Sequence, residues 1–288
     1  MRKVLLFVLV VLTGISFIGR LFYLQIYTAD PYSITNENAI RKVFHYPKRG
    51  YIYDRNDSLL VANQPSYDVM VIPREVEPLD TILFCNLLKI DKANFLKSLK
   101  RAKNYSPRLP SPFLRHLSKE DYAFLSEKLR KFKGFYIQKR SVRDYQTSIG
   151  ANVLGYIAEA NTKEISKDSY YRIGDLIGKQ GVEISYEKIL RGVKGVKYIQ
   201  KDIYNRDIGA YKEGLFDTLP IPGKDIKITI DSELQAYGEL LMQNKIGGIV
   251  AIEPSSGEIL SLVSAPSYNP NLLVGRQRSK NYTKLYLD

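Results

Sequence analysis

The sequence predicts a mixed α+β protein behind an N-terminal membrane anchor. Three observations lead there: an uncharged apolar run at the start of the chain, short strand-like segments punctuated by Pro, Gly and Asp-Asn turns, and helical stretches with caps between them.

The anchor is read over Val4 to Ile26. No charge interrupts Val4 to Gly19, and apolar character resumes at Leu21 and runs to Tyr27. A helix from Val4 to Ile26 would be about 34 Å long, enough for a bilayer core. Arg20 stands near its far end, where a long side chain snorkels to the headgroups, and Tyr23 and Tyr27 suit the interfacial aromatic belt. Arg2 and Lys3 precede the run, so the positive-inside rule places the N-terminus in the cytoplasm and the bulk of the chain outside. A cleaved signal peptide is the rival reading, but no small-x-small cleavage site follows the run.

Strand patterns come next. Tyr51-Ile52-Tyr53, a turn over Asp54 to Ser58, Leu59-Leu60-Val61 and then Tyr67 to Ile72 read as extended segments. Helices are expected over Leu79 to Lys103 and from Ser118 to just before Gly134, with an extended run at Phe135 to Gln138. Pro107 to Pro112 is read as a loop. Gly178 to Gly181 is read as a turn, Val182 to Leu190 as a helix closed by Gly192, and Lys194 to Ile203 as strands around a turn at Gly195. After a break at Pro220 to Gly223, Asp225 to Ile230 alternates as a strand. Asp231 or Ser232 caps a helix to about Asn244, with Ser232-x-x-Gln235 as a capping box. Ile249 to Ile252 and Ile259 to Val263 flank a Pro-Ser-Ser-Gly turn, a β-hairpin.

Composition limits the chemistry. The chain has 43 Lys and Arg against 30 Asp and Glu, a formal charge of +13, much of it between Lys89 and Arg143. Such a balance suits anionic partners or a solvated basic face, and an exported chain makes nucleic acid an unexpected partner. Cys85 is the single cysteine, so no internal disulfide can form, and its apolar flanks predict a buried thiol. His45 and His116 stand far apart, so neither a metal site nor a cofactor is expected.

No nucleophile setting is complete. Ser185-Tyr186-Glu187-Lys188 has the Ser-x-x-Lys spacing that lets an amine serve a hydroxyl, and Ser267-Tyr268-Asn269 fits Ser-x-Asn. No Lys-Thr-Gly or Lys-Ser-Gly completes such a site, so no catalytic residue is assigned and Ser185 and Lys188 are read as exposed on a helix.

The order of motifs resembles the class B penicillin-binding proteins. Arg49-Gly50-Tyr51-Ile52-Tyr53-Asp54-Arg55-Asn56, followed by Leu60-x-Ala62-Asn63-x-Pro65-x-Tyr67-Asp68-Val69, looks like the first signature of that family's pedestal. Gly178-Lys179-x-Gly181-Val182-Glu183-x-x-Tyr186-Glu187-x-x-Leu190-Arg191-Gly192 looks like the third. The segment from Asp225 to Asn271 looks like the opening of the transpeptidase domain. There are departures: the second signature, Arg-x-Tyr-Pro, reads Arg143-Asp144-Tyr145-Gln146, and Asn152 stands where a His is usual.

The resemblance implies an anchor and cytoplasmic tip over 1–26, a periplasmic β-rich pedestal with a helical insertion over 27–223, and the first strand, helix and hairpin of a truncated transpeptidase domain over 224–288. It implies a pedestal junction formed by Arg49, Gly50, Asp54, Arg55, Gly181, Glu183, Tyr186 and Glu187, with Glu183 on Arg49 and with Asp54 and Arg55 near the same place. The implied location is the bacterial inner membrane, single-pass, and the implied type is the elongation enzyme. Partners follow: the lipid bilayer, elongation-complex membrane proteins (a glycosyltransferase and a scaffold), and peptidoglycan stem peptides and β-lactams for the full-length protein alone. The family's nucleophilic Ser-x-x-Lys is expected beyond Asp288. A non-catalytic scaffold for elongation-machinery proteins and a tethered basic module for anionic wall polymer are the alternatives.

Overall fold

The computed structural model describes residues 2–23, 40–117, 119–202, 207–275 and 277–287. Helix α1 (Arg2–Phe22) opens the chain, followed by strands β1 (Ile40–His45), β2 (Ile52–Tyr53) and β3 (Leu59–Val71). A helical insertion follows: α2 (Thr81–Leu88), α3 (Lys92–Tyr105), strand β4 (Ser111–Leu117), α4 (Lys119–Lys128) and strand β5 (Phe135–Tyr145). Short elements come next: α5 (Ala151–Leu154), β6 (Ile157–Glu159), α6 (Thr162–Lys167), β7 (Leu176–Gly178), α7 (Gly181–Ser185) and α8 (Glu187–Leu190). The chain continues through β8 (Gly195–Lys201), β9 (Asp207–Ala210), β10 (Ile226–Lys227), α9 (Ser232–Leu241), β11 (Gly247–Ile252), β12 (Ile259–Ala265) and α10 (Arg278–Leu287).

The contacts divide the chain into two units, one of residues 1–45 with 194–220 and one of residues 46–193 with 221–288. The first holds α1 and an antiparallel sheet of order β1-β8-β9. Its register runs from Ile40 opposite Gln200 to His45 opposite Gly195. The strands expected around a turn at Gly195 are instead the single strand β8, because Gly195 itself pairs with His45; Ile203 lies outside the described residues. Helix α1 exposes Phe7, Leu12, Phe17 and Ile18. Among the described residues no helix is long and apolar enough to cross a membrane. The expected span ends at Ile26, and its last residues, like Tyr27, lie outside the described ones.

The second unit is built on β3. Strand β5 pairs with it antiparallel from Val61 opposite Tyr145 to Val71 opposite Phe135. The other edge of β3 is shared by β2 at its start and β4 at its end. Strand β10 then joins β2 in parallel, Ile226 opposite Ile52. The strand expected over Asp225 to Ile230 shortens to Ile226 and Lys227, and the segment after residue 223 thereby completes the sheet begun at Ile52.

The helical insertion covers the far half of this sheet. Phe84 is fully buried, with ring centroids of Phe95, Phe113, Phe132 and Phe135 between 4.5 and 5.9 Å away. Edge-on aromatic packing of this kind adds to area burial. Cys85 is buried there, and desolvation raises its thiol pKa. The single helix expected over Leu79 to Lys103 is two, because Lys89 adopts a left-handed cap (φ 52°) that ends α2. Asp80 caps α2 by accepting from the Ile82 and Leu83 N–H groups. The next helix begins at Lys119; its expected cap, Ser118, lies outside the described residues.

A second cluster, Ile52, Leu60, Val61, Tyr145, Leu154 and Leu190, fills the near half of the sheet. Beyond it, α9 lies on the β11–β12 hairpin. The buried Gln235 holds the two together: its Oε1 accepts from Leu262 N at 2.8 Å and its Nε2 donates to Leu262 O at 3.0 Å. Gln235 is therefore no member of a capping box; Asp231 caps α9, accepting from the Glu233 and Leu234 N–H groups.

Candidate functional site

The near end of the sheet carries a buried cluster of two guanidiniums and two carboxylates. Arg49 precedes β2, Arg143 lies near the end of β5, and Glu183 and Glu187 project from α7 and α8. The helix expected over Val182 to Leu190 is broken at Tyr186 (φ −107°, ψ 21°), and the break sets the two carboxylates on successive short helices.

Glu183 is fully buried and shared. Its Oε2 accepts from Arg49 Nε at 2.7 Å and its Oε1 accepts from Arg143 Nε at 2.6 Å. Glu187 also meets Arg49: Arg49 Nη1 donates to Oε1 at 3.1 Å, and Nη2 pairs with Oε2 while also donating to Glu183 O at 3.1 Å. Tyr171 Oη donates to Glu187 Oε1 at 2.7 Å and Gly178 N to Oε2 at 2.9 Å. Burial alone would raise the Glu187 pKa, but the Arg49 hydrogen bonds and charge, with Gly178 N–H and Tyr171, hold it below the usual carboxylate range.

Arg143 ties the cluster back to the first signature. Its Nη1 donates to Gly50 O at 2.7 Å and to Asn63 Oδ1 at 2.9 Å, while Asn63 Nδ2 donates to Arg49 O. Gly50 is enclosed: its N–H donates to Leu190 O at 2.9 Å, and a Cβ there would collide with the Lys224 carbonyl. Gly181 is in the left-handed region (φ +59°), and a Cβ would meet Val153 O. Such a buried network contributes little net stability against an apolar core of the same shape, yet removing one partner costs about 3–5 kcal/mol. The network joins segments that are distant in sequence, from Arg49 and Asn63 through Arg143 to Glu183 and Glu187.

Of the residues expected at this junction, Arg49, Gly50, Gly181, Glu183 and Glu187 are brought together. Tyr186 contributes its backbone, with its ring exposed. Asp54 and Arg55 make a different contact, because the turn after β2 carries them to the start of α9. Asp54 is fully buried, its Oδ1 accepting from Asn56 N at 2.8 Å and Ser58 N at 2.7 Å and its Oδ2 from Ser232 Oγ at 2.6 Å. Arg55 N donates to Ile230 O at 3.0 Å, and its guanidinium stands 3.8 Å from Glu258 on the surface. Sequence reasoning missed Arg143, Asn63, Tyr171 and Ser232 as partners; Arg143 stood in plain view in its Arg-x-Tyr motif.

The cluster holds no nucleophile. Ser185 Oγ donates to Gly181 O at 3.0 Å, a turn back along its own helix, and no bond joins it to Lys188 among the described residues. Asn269, of the Ser-x-Asn match, accepts from Asn271 N at 2.9 Å and shapes a local turn.

Residues 44–228 match the family model described as the penicillin-binding protein dimerisation domain. The chain is similar to the peptidoglycan D,D-transpeptidase MrdA of Acinetobacter baumannii, 35% identical over 96% of this chain and 42% of that relative. It is 32% identical to MrdA of Escherichia coli K12, over 97% of this chain and 45% of the relative. Penicillin-binding protein 3 of Bacillus subtilis is 29% identical over 88% and 37%. The chain thus spans less than half the length of these curated relatives. Among solved structures, a complex between penicillin-binding protein PBP2 and MreC from Helicobacter pylori is similar in fold, with a TM-score of 0.70 at 24% identity, over 86% of this chain and 47% of that one.

Proposed function

Because the chain belongs to the penicillin-binding protein dimerisation-domain family, we propose that it is the anchor and pedestal of a peptidoglycan D,D-transpeptidase of the elongation type, acting in cell-wall synthesis and cell shape. The observation that carries this is the alignment of nearly the whole chain, in order, with MrdA-type transpeptidases, including the segments that build the charge cluster. The role proposed for these residues is to hold together the pedestal segments that carry a reacting domain. The proposed anchor is the apolar sequence run from Val4 to Ile26, supported by the exposed apolar side chains of α1 and by Arg2 and Lys3 before the run. The location is the inner membrane with the bulk in the periplasm. The partners are the bilayer, a scaffold protein of the kind named with the PBP2 neighbour, and a glycosyltransferase of the elongation machinery.

A hybrid tests this reading. The first 288 residues replace the matching region of an elongation transpeptidase in cells depleted of their own copy. Restored rod shape supports the proposal; round cells despite a stable, membrane-located hybrid count against it. A phosphatase active only in the periplasm, fused after Asn38, reports orientation. An inactive fusion, or a mature N-terminus beyond residue 20, counts against the anchor.

A further inference from the structure

Helix α3 concentrates charge of one sign on its exposed side. Residues 89–143 hold sixteen Lys and Arg against four Asp and Glu, so nearly all of the chain's excess charge lies in this stretch. Part of it is spent inside the fold: Arg115 pairs with Glu159, Arg140 with Asp68 and Arg143 with Glu183. Lys89 and Lys133 meet Asp121 and Glu77 at the surface. The five cations of α3, Lys92, Lys97, Lys100, Arg101 and Lys103, are all exposed, and none has a carboxylate partner among the described residues.

Phe95 and Ala102 turn one side of α3 into the core, and the cations occupy the other. From Lys92 to Lys103 the helix rises about 16 Å. Lys97 stands three and four positions before Lys100 and Arg101, and Lys100 three before Lys103, so like charges are neighbours along that side. Each such pair opposes the helix. Lys92 opposes it too, as a cation at the positive end of the helix dipole with no acidic residue in its turn. Helix α4 follows the stabilising order instead, with Glu120 and Asp121 in its first turn and Lys128 in its last. A solvated face gains nothing from the arrangement in α3, whereas a bound chain of negative charges relieves its repulsions together.

The shape of the charged side selects the partner. Helix α3 already packs its apolar side inward, with Phe95 edge-on to Phe84 and Phe113 at 5.5 Å, so it has no apolar face to sink into a bilayer. Leu96 is the one large apolar side chain exposed between the cations, too little for insertion. A row one helix long suits a flexible chain laid along it. Lysine acts as a point charge and takes carboxylate and phosphate alike.

We propose that α3 binds a linear polyanion, a flexible chain of repeated carboxylate or phosphate groups, along Lys92, Lys97, Lys100 and Lys103. Arg101 borders the row, steadied by its Nη2 donating to Pro112 O at 3.1 Å. The surface belongs to the helical insertion and is separate from the buried charge cluster at the near end of the sheet.

Fluorescent polyglutamate and polyphosphate of matched length are the probes, titrated against the full chain in neutral detergent at low salt. The two arms separate a carboxylate source from a phosphate one. Binding of one or both is expected, weakening steeply as salt rises. Free glutamate or inorganic phosphate at the same total charge should not displace the polymer. Lys92→Gln, Lys97→Gln, Lys100→Gln and Lys103→Gln together are expected to weaken binding at least about tenfold, with the Tm unchanged or raised. The control, Lys163→Gln, Lys167→Gln, Lys280→Gln and Lys284→Gln, removes equal charge from other exposed sites and should keep the affinity. Arginine at the four α3 positions should keep it as well. The salt and competition arms use the unaltered chain and stand apart from the variants. No binding of either polymer, an equal loss in the two Gln variants, or displacement by the monomeric anions overturns the proposal. So does displacement by micelles doped with phosphatidylglycerol at equal anionic charge, which would give the helix to a lipid surface.

Discussion

Arg143 and Glu183 are both fully buried, and Arg143 Nε donates to Glu183 Oε1 at 2.6 Å. Because Glu183 also receives Arg49, one carboxylate answers two guanidiniums from segments on either side of it in space. Glu183→Ala therefore strands two buried cations and is expected to lose about 3–5 kcal/mol. In urea unfolding, Arg49→Ala combined with Glu183→Ala should cost much less than the sum of the single changes. Additive losses under 1 kcal/mol would show independent exposed charges.

The pH dependence has a definite sign. Glu187 sits below its usual range despite burial, through Arg49, Gly178 N–H and Tyr171. The unfolded chain protonates such a carboxylate near about pH 4.3. Its contribution is fully present above that value and is lost as pH falls through the lower folded-state pKa. Urea unfolding from pH 6 to 3 should show stability declining with acid, and Glu187→Gln should flatten that part of the curve.

Gly50→Ala places a methyl group against the Lys224 carbonyl, where β10 approaches β2. Backbone lies on both sides, so relief requires moving a strand. The expected cost is about 2 kcal/mol or more. Amide exchange should accelerate at Ile226 and Ile228, whose N–H groups bond to Tyr51 O and Tyr53 O. Unchanged protection at both sites would show that the strand accommodates the methyl.

The purified 288-residue chain should form no covalent adduct with a fluorescent β-lactam. Ser185 bonds back into its own helix, and Ser267 lies beside a local turn shaped by Asn269. A labelled band that disappears in Ser185→Ala would revive the Ser-x-x-Lys reading.

What the sequence reveals depends on range. The Pro-Ser-Ser-Gly turn and its hairpin are local, and Gly257 takes the left-handed value such a turn needs. The breaks at Lys89 and Tyr186 are invisible to periodicity, because neither residue type announces a helix end. Ser232 has the spacing of a capping box, yet its hydroxyl goes to Asp54, 178 positions away, and Asp231 takes over the cap. No local rule links Arg49 to Glu183; only the order of the family signatures does. Arg143 is marked in the sequence by its Arg-x-Tyr motif, but nothing in the neighbouring residues reveals the carboxylate it meets.

The shared carboxylate also constrains the timing of folding. Ribosomes release the chain from its N-terminus, and Arg49 precedes Glu183 by 134 positions, Arg143 by 40. At about 5–20 residues per second, Arg49 waits on the order of ten seconds for its counter-charge. Arg143 joins it only for the last 40 of those positions, and through them neither guanidinium has the carboxylate it meets in the fold. Burying either guanidinium before Glu183 and Glu187 have followed would strand a cation, so the seam between these segments can close only once both carboxylates are present.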